Sequence, residues 1–151
     1  MSILTKLSVE DRLDIMELMV RYGRTLDTRD AAGYAALFAP DAVRVTNNGA
    51  KTQHGRAEIQ ADIQQSMDSW KTTIRHFLAP PLIEGGDGNR AMVRSYVQEM
   101  VDVPEGPCYV SQVAEYQDVC VKLDGQWYFQ ERTIVKMLDG HADVIKRGPT
   151  Q

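Results

Sequence analysis

The sequence predicts a single α+β domain, in which three helices come first and long antiparallel strands follow. Over residues 8–70 the apolar residues recur at helical spacing, and from residue 72 onward they alternate with a period of two. The pair Asp124-Gly125, between two strand-like segments, is a strong signal for a hairpin turn. A length of 151 residues fits one domain, assigned to residues 1–151 with a core over 8–137 and a C-terminal tail over 138–151. A bent sheet wrapped around the helices would enclose a pocket.

The first helix has the clearest pattern. Ser8, followed three residues later by Asp11, resembles a capping box in which Asp replaces the usual Glu or Gln. The predicted apolar face follows as a narrow stripe and a second set that widens it: Val9, Leu13, Met16, Val20 and Gly23, then Ile15, Met19, Tyr22 and Leu26. One more step along the narrow stripe reaches Asp27. We therefore expect this carboxylate to point into the protein.

The remaining elements follow from the same patterns. A short second helix is predicted over residues 30–38 and is ended by Pro40, and a short strand over 42–46 comes next. A third helix is expected after Gly55. Four segments have strand character: residues 72–83, interrupted by Pro80 and Pro81, then 90–103, 109–123 and 126–137.

Charge and composition exclude several classes of protein. A net charge of −4 is unfavourable for binding nucleic acid, which requires a basic surface. No apolar run is long enough to span a membrane. Cys108 and Cys120 have no metal-binding spacing, so we expect free thiols and a cytoplasmic protein. His54 and His141 lie in predicted loops far apart in the chain, so no metal site is indicated. No phosphate-binding loop or nucleophile elbow is present, and no cofactor is expected.

Two residues are candidates for acid–base chemistry. Asp27 is the inward carboxylate of the first helix, and His76 shares the inward side of its strand with Ile74 and Leu78, while Arg75 faces out. In a dyad the carboxylate would orient the imidazole and stabilise its charged form, so that the imidazole acts as a general base. The alternatives are that Asp27 caps the following helix and that His76 is a core histidine with satisfied hydrogen bonds.

Four further side chains could reach the pocket. Arg132 shares a side of the last strand with Tyr128 and Ile134, and could bind a carboxylate or an enolate oxygen. Its alternative is an ion pair at the surface or at a subunit interface. The hydroxyls of Tyr22, Tyr96 and Tyr116 could point into the pocket, or these side chains could simply pack in the core.

Taken together, these motifs resemble SnoaL-like domains of the nuclear transport factor 2-like superfamily. The resemblance is carried by residues 22–30 and 37–42, residues 55–59 before the third helix, Arg75-His76-Phe77, and Asp124-Gly125-Gln126-Trp127 followed by Arg132. It covers residues 8–137 and implies a cone-shaped α+β barrel with an apolar pocket. The most similar branch contains scytalone dehydratase, bile-acid 7α-dehydratase and hexachlorocyclohexane dehydrochlorinase.

The resemblance implies site residues and an activity. Asp27 and His76 match the catalytic dyad of that branch, and Tyr22 and Arg132 match a tyrosine and an arginine of the bile-acid enzyme. The strand over residues 90–103 lacks the second pocket histidine of scytalone dehydratase. The chain is expected to be a cofactor-free lyase, or a related cyclase or isomerase, acting on a hydrophobic cyclic molecule. A non-catalytic ligand-binding protein, or the small subunit of a ring-hydroxylating dioxygenase, is the alternative.

The resemblance also implies a homo-oligomer, either a trimer or a dimer. Nothing in the sequence itself tests this expectation.

Overall fold

The computed structural model describes residues 7–102 and 105–139. Within them lie three helices, α1 (Val9–Asp27), α2 (Ala31–Ala36) and α3 (Gly55–Ser69). The strands are β1 (Phe38–Thr46), β2 (Lys51–His54), β3 (Ile74–Leu78), β4 (Leu82–Asp87), β5 (Arg90–Val101), β6 (Tyr109–Leu123) and β7 (Gln126–Asp139). The predicted α+β class is confirmed. Most of the predicted tail and His141 lie outside the described residues.

The strands form one curved, unclosed sheet that positions the helices. The strand order is β2-β1-β7-β6-β5-β3, and β4 also pairs with β5. The β1–β7 pair is parallel and the others are antiparallel, as the prediction of a mostly antiparallel sheet requires. Helix α1 packs on β3, and α3 packs on β1. Among the described residues no helix is long and apolar enough to cross a membrane.

Helix α1 is capped as predicted, and the cap also ties it to the sheet. The Ser8 hydroxyl accepts from the Asp11 N–H, and the Asp11 carboxylate accepts from the Ser8 N–H. The same carboxylate accepts from Lys122 Nζ at 2.8 Å and from Trp127 Nε1 at 2.9 Å. The N-terminus of the helix is thereby fixed to the β6–β7 hairpin.

The predicted apolar face of α1 is wrong in part. The first four residues of the narrow stripe face outward, with exposed fractions between 41% and 75% at Val9, Leu13, Met16 and Val20, while its last residue, Gly23, is buried. The second set, together with Leu18, forms the buried side. The helix carries two adjacent apolar stripes, and spacing alone does not decide which one meets the sheet. The larger side chains, Tyr22 included, face the core.

Gly23 allows α1 to approach β3 closely. A Cβ atom at this position would lie 2.7 Å from Cδ1 of Leu78 and 3.5 Å from Cβ of His76. The absence of a side chain therefore permits close contact at one turn of the helix. Asp27 lies one turn further along the same face, so the approach at Gly23 brings its carboxylate to β3.

Two predicted boundaries around Pro40 are wrong. Helix α2 ends at Ala36, and Pro40 lies inside β1 instead of ending a helix. The proline falls where the β1–β7 register shifts, between Phe38 and Val43, so its missing N–H removes no regular ladder bond. Strand β2 was not predicted, because its four residues are mostly exposed and show no apolar alternation.

The strand predicted over residues 72–83 is in fact two strands. Residues Pro80 and Pro81 separate β3 from β4, and the two strands pair with successive parts of the long strand β5. The prolines thus end one strand instead of interrupting a continuous one. The hairpin at Asp124-Gly125 is confirmed, with β6 and β7 on either side.

A register shift in β7 changes which residues share a face. Phe129 pairs with Cys120 and Glu131 pairs with Val119, so Gln130 is an extra residue. Phe129 and Arg132 are therefore both buried although three positions separate them. The prediction that Tyr128 and Arg132 share a side is wrong for this reason, since strict alternation does not hold across a bulge.

Candidate active site

A cavity of about 580 Å³ lies among α1, α3 and the inner face of the sheet. Its wall includes apolar side chains such as Leu26, Ile63 and Ile134, as the resemblance implied. It also includes charged and hydroxyl-bearing side chains, so the lining is mixed and not purely apolar. The polar groups used below are Tyr22, Arg44, His76, Glu99 and Tyr116.

Asp27 and His76 are in direct contact. The Asp27 Oδ1 atom lies 2.8 Å from Nδ1 of His76, and it also accepts from the His76 backbone N–H at 3.0 Å. The side chains expose only 11% and 6% of their surface. Asp27 does not cap α2, since Asp30 is the N-cap and accepts from the Gly33 N–H. The inward position of both residues was predicted, and their contact could not be read from the sequence.

Glu99 is a third member of this cluster that the sequence reasoning missed. It is directly opposite His76 in the β3–β5 register, and its Oε2 lies 3.6 Å from Nε2 of His76. The backbone N–H of His76 points toward Asp27 and away from β5. His76 and Glu99 are therefore a non-hydrogen-bonded pair of the antiparallel ladder, the kind of pair in which facing side chains come closest. Ser111 and Gln112 donate to the Glu99 carboxylate at 2.5 and 3.0 Å.

The imidazole is thus held between two carboxylates. Burial acts to lower the pKa of His76, but Glu99 and Asp27 outweigh it and raise the pKa above its ordinary value. Burial acts in the opposite direction on Glu99, yet His76, Ser111 and Gln112 hold the pKa of this carboxyl below its usual range. The arrangement stabilises the charged imidazolium, and both His76 and Glu99 line the cavity.

Tyr22 and Tyr116 are both among the residues that line the cavity. The Tyr22 hydroxyl oxygen lies 2.7 Å from that of Tyr34, which is completely buried. Burial raises the pKa of Tyr34 well above its usual range, so its phenol keeps its proton. Either hydroxyl of this pair can be the donor, and when Tyr34 donates, the proton of Tyr22 can turn toward the cavity.

Tyr96 does not reach the cavity. Its side chain is 55% exposed and lies on the opposite face of β5 from Glu99. Strand alternation explains this, because odd-numbered residues of β5 such as Val97 and Glu99 face inward and Tyr96 faces out. The predicted pocket role of Tyr96 is wrong for this chain.

Arg132 points inward, as predicted, but it lies beneath the cavity wall. It is fully buried, and its Nε and Nη2 atoms donate to the two oxygens of Asp118 at 2.7 Å each. Its Cζ atom lies 3.9 Å from the ring centroids of Tyr22 and Phe129 and 4.2 Å from that of Tyr116. The alternative of a surface or interface ion pair is also wrong. The guanidinium instead supports the aromatic part of the cavity wall from behind.

The sequence profile of the SnoaL-like domain matches residues 7–133. The chain belongs to this SnoaL-like family. None of the curated proteins is significantly similar to it in sequence.

Solved structures agree with the SnoaL-like fold. A protein of unknown function with a cystatin-like fold from Nostoc punctiforme is 27% identical, with a TM-score of 0.77 over 88% of this chain and 96% of the other. Rv3472, of unknown function, from Mycobacterium tuberculosis is 26% identical, with a TM-score of 0.78 over 86% of this chain and 78% of the other. A putative scytalone dehydratase from Novosphingobium aromaticivorans is 24% identical, with a TM-score of 0.76 over 86% of both chains.

A metal ion in this SnoaL-like domain would need several side chains that could coordinate it together. Within residues 7–102 and 105–139, no group of three His, Cys, Asp or Glu side chains is arranged to hold a metal ion. Cys108 is exposed and Cys120 is buried, and both are free. The expectation of a cofactor-free protein stays a prediction from the sequence.

Proposed function

We propose that this SnoaL-like protein is a cofactor-free lyase that eliminates water from a cyclic small molecule, with His76 as general base. The hydrogen bond between Asp27 and Nδ1 of His76, at the wall of the cavity, carries this proposal. The Asp27 carboxylate fixes the tautomer that has no proton on Nε2, so Nε2 accepts the proton, and Glu99 beside it stabilises the imidazolium that forms. A related cyclisation or isomerisation would use the same proton abstraction.

In the proposed reaction a C–H bond of the substrate breaks and its proton passes to Nε2 of His76. The electron pair left on carbon forms a C=C bond while the C–O bond to the adjacent hydroxyl breaks. The leaving hydroxyl takes a proton from the imidazolium, directly or through Tyr22, and departs as water. Both side chains then return to their starting protonation states, and the products are an alkene and water.

Tyr22 is proposed as the group that binds the substrate oxygen. Its hydroxyl shares a hydrogen bond with that of Tyr34, and in this proposal Tyr34 is the donor, so that the proton of Tyr22 is directed to the substrate oxygen. Arg132 has a positioning role in this proposal, since its guanidinium stacks against the Tyr22 and Tyr116 rings and touches no part of the cavity. Tyr116 contributes packing and shape to the cavity wall.

A deuterium-exchange experiment tests the proposal. A panel of cyclic β-hydroxy ketones in D₂O is followed by proton NMR, both for exchange of carbon-bound protons and for loss of water. The wild-type protein should accelerate both processes for at least one compound. His76→Gln and Asp27→Asn should each lower the rate by about 10²–10⁴-fold, which is the usual contribution of a general base. His54→Gln, which changes an exposed histidine, is the matched control and should retain the rate.

A histidine titration by NMR tests the dyad without a substrate. The pKa of His76 should fall in Asp27→Asn, because the negative charge that favours imidazolium is removed. An unchanged pKa, or a His76→Gln variant with the full elimination rate, would leave the dyad without a role. The non-catalytic binding protein would then be the better interpretation.

We also propose that the protein is a homo-oligomer, a dimer or a trimer. Apolar side chains on the outer side of α1 and on the outer face of the sheet support this proposal, since large exposed apolar groups are typical of association surfaces. Cytoplasmic location likewise remains a proposal.

A further inference from the structure

Arg44 is a buried cation on the cavity wall that the proposed elimination does not use. It lies on β1, is 6% exposed, and donates from Nη1 to Asp62 at 2.8 Å and to Gln53 at 3.1 Å. Its Nε–H has no acceptor among the described residues. A buried donor without a partner is costly, so an acceptor from solvent or from a ligand is expected there.

The charge around Arg44 is not balanced by its neighbours. Asp62 pairs with Lys51 as well as with Arg44, so one carboxylate serves two cations and a net positive charge remains. Lys136 also lines the cavity, but its Nζ pairs with Asp139. The Arg44 side of the cavity is therefore positive.

The part of the cavity around His76 is instead surrounded by negative charge. The carboxylates of Asp27 and Glu99 both flank the imidazole, and an anionic ligand would be repelled from them. An anion that enters the cavity is consequently directed toward Arg44 and away from the dyad.

We propose that Arg44 binds a carboxylate carried by the ring of the substrate, so that the substrate is an acidic cyclic molecule. Nη1 is already occupied, and the Nε side of the guanidinium fork is the side that remains for a carboxylate. This inference rests on the proposed function, because it assigns the same cavity to the substrate. It also orients the substrate, with its acid group at Arg44 and its reacting carbon at His76.

Calorimetric binding of 2-naphthoate and of its neutral analogue 2-naphthamide tests the proposal at neutral pH. The wild-type protein should bind the acid at least about ten-fold more tightly than the amide. Arg44→Gln should remove this preference. Arg44→Lys keeps a cation beside Asp62 and lacks the guanidinium fork, so it should fold like the wild type and still lose about ten-fold in affinity for the acid.

Lys51→Gln is the matched control, because it removes the other cation of Asp62 from an exposed position outside the cavity. It should bind 2-naphthoate like the wild type. Equal affinity of the wild type for acid and amide would overturn the proposal, and so would full affinity for the acid in both Arg44 variants. A loss in Lys51→Gln as large as that in Arg44→Gln would also overturn it, by showing a general charge effect.

His76→Gln separates this proposal from the proposed reaction. That variant should still prefer 2-naphthoate to 2-naphthamide while losing elimination. If elimination fails in the wild type but the Arg44-dependent preference holds, the acid site stands and the lyase does not.

Discussion

The imidazole of His76 has a carboxylate on each side, and this governs how activity should depend on pH. A general base works only in its neutral form, so kcat/KM should rise with pH through the pKa of His76. That pKa is raised by Glu99 and Asp27 against the effect of burial. The midpoint of this increase in activity should therefore lie at a higher pH than the ordinary pKa of a histidine.

Replacing Glu99 tests whether a neighbouring carboxylate raises the pKa of His76 and so sets the pH dependence of activity. Glu99→Gln keeps the shape of the side chain and removes one of the two negative charges, so the pKa of His76 should fall. The acidic limb of the kcat/KM profile should move to lower pH, and activity below neutral pH should increase relative to the wild type. A pH profile that coincides with the wild type, measured on the same substrate, would mean that the 3.6 Å approach has no electrostatic effect.

The sequence located Asp27 and His76 but could not reveal their full surroundings. His76 was found because strand alternation places its side chain on a face. Asp27 was inferred from a stripe whose first four residues face outward, and it points inward because β3 covers the end of the helix from Gly23 onward. Glu99, Arg44 and Tyr34 were missed for a common reason, since their importance depends on cross-strand register and tertiary contact. Tyr96 was assigned to the cavity because a tyrosine in a strand gives no sign of which face is the inner one.

At the scale of elements, the β4–β5 hairpin depends on one of its glycines and not on the other. A Cβ atom at Gly86 would lie 2.9 Å from Cα of Ala91 and still closer to the Arg90 carbonyl oxygen, both of which are backbone atoms. At Gly88 a Cβ atom would meet nothing within 4 Å. The two positions therefore form a matched pair within one hairpin.

Gly86→Ala should lower the free energy of unfolding by about 1–3 kcal/mol, because the backbone of the neighbouring strand must move. Gly88→Ala should change it by less than about 0.5 kcal/mol, as is usual for an open surface position. Urea denaturation followed by circular dichroism measures both. Equal stability of the two variants would contradict the close backbone approach at Gly86.

Most elements were predictable from the sequence, but the short strand β2, the division of residues 72–83 into two strands, the buried side of α1 and the bulge in β7 were not. The long strands and helices have strong periodicity, and β6 begins and ends where the pattern predicts. The exposed stripe of α1 was taken for its buried side because two apolar stripes run side by side. The bulge at Gln130 was not visible, because an extra residue leaves no mark in composition.

At the scale of the whole molecule, apolar side chains remain on two outer surfaces. One is the α1 stripe, where Leu13 is 59% and Val20 is 64% exposed. The other is the outer sheet face around Phe77 and Tyr96. Burial of either in a symmetric assembly would remove apolar area from water.

Light scattering after size-exclusion chromatography should therefore give two or three times the chain mass of 17.0 kDa at micromolar concentration. Val20→Lys and Tyr96→Lys each place a charge on one surface, and the variant that lowers the mass identifies the interface. A wild-type mass of one chain would contradict self-association.

The hydrogen bond from the His76 N–H to Asp27 also affects an edge strand of the sheet. Strand β3 ends the strand order, so its outer row of amide groups has no strand beside it within residues 7–102 and 105–139. Asp27 covers one of these groups with a charge and Arg75 extends across to the Asp27 carbonyl oxygen, while Pro80 and Pro81 follow directly. Open strand edges invite pairing with other chains, and charges and prolines prevent it. The carboxylate proposed to orient the base thus also protects the protein from aggregation through this edge.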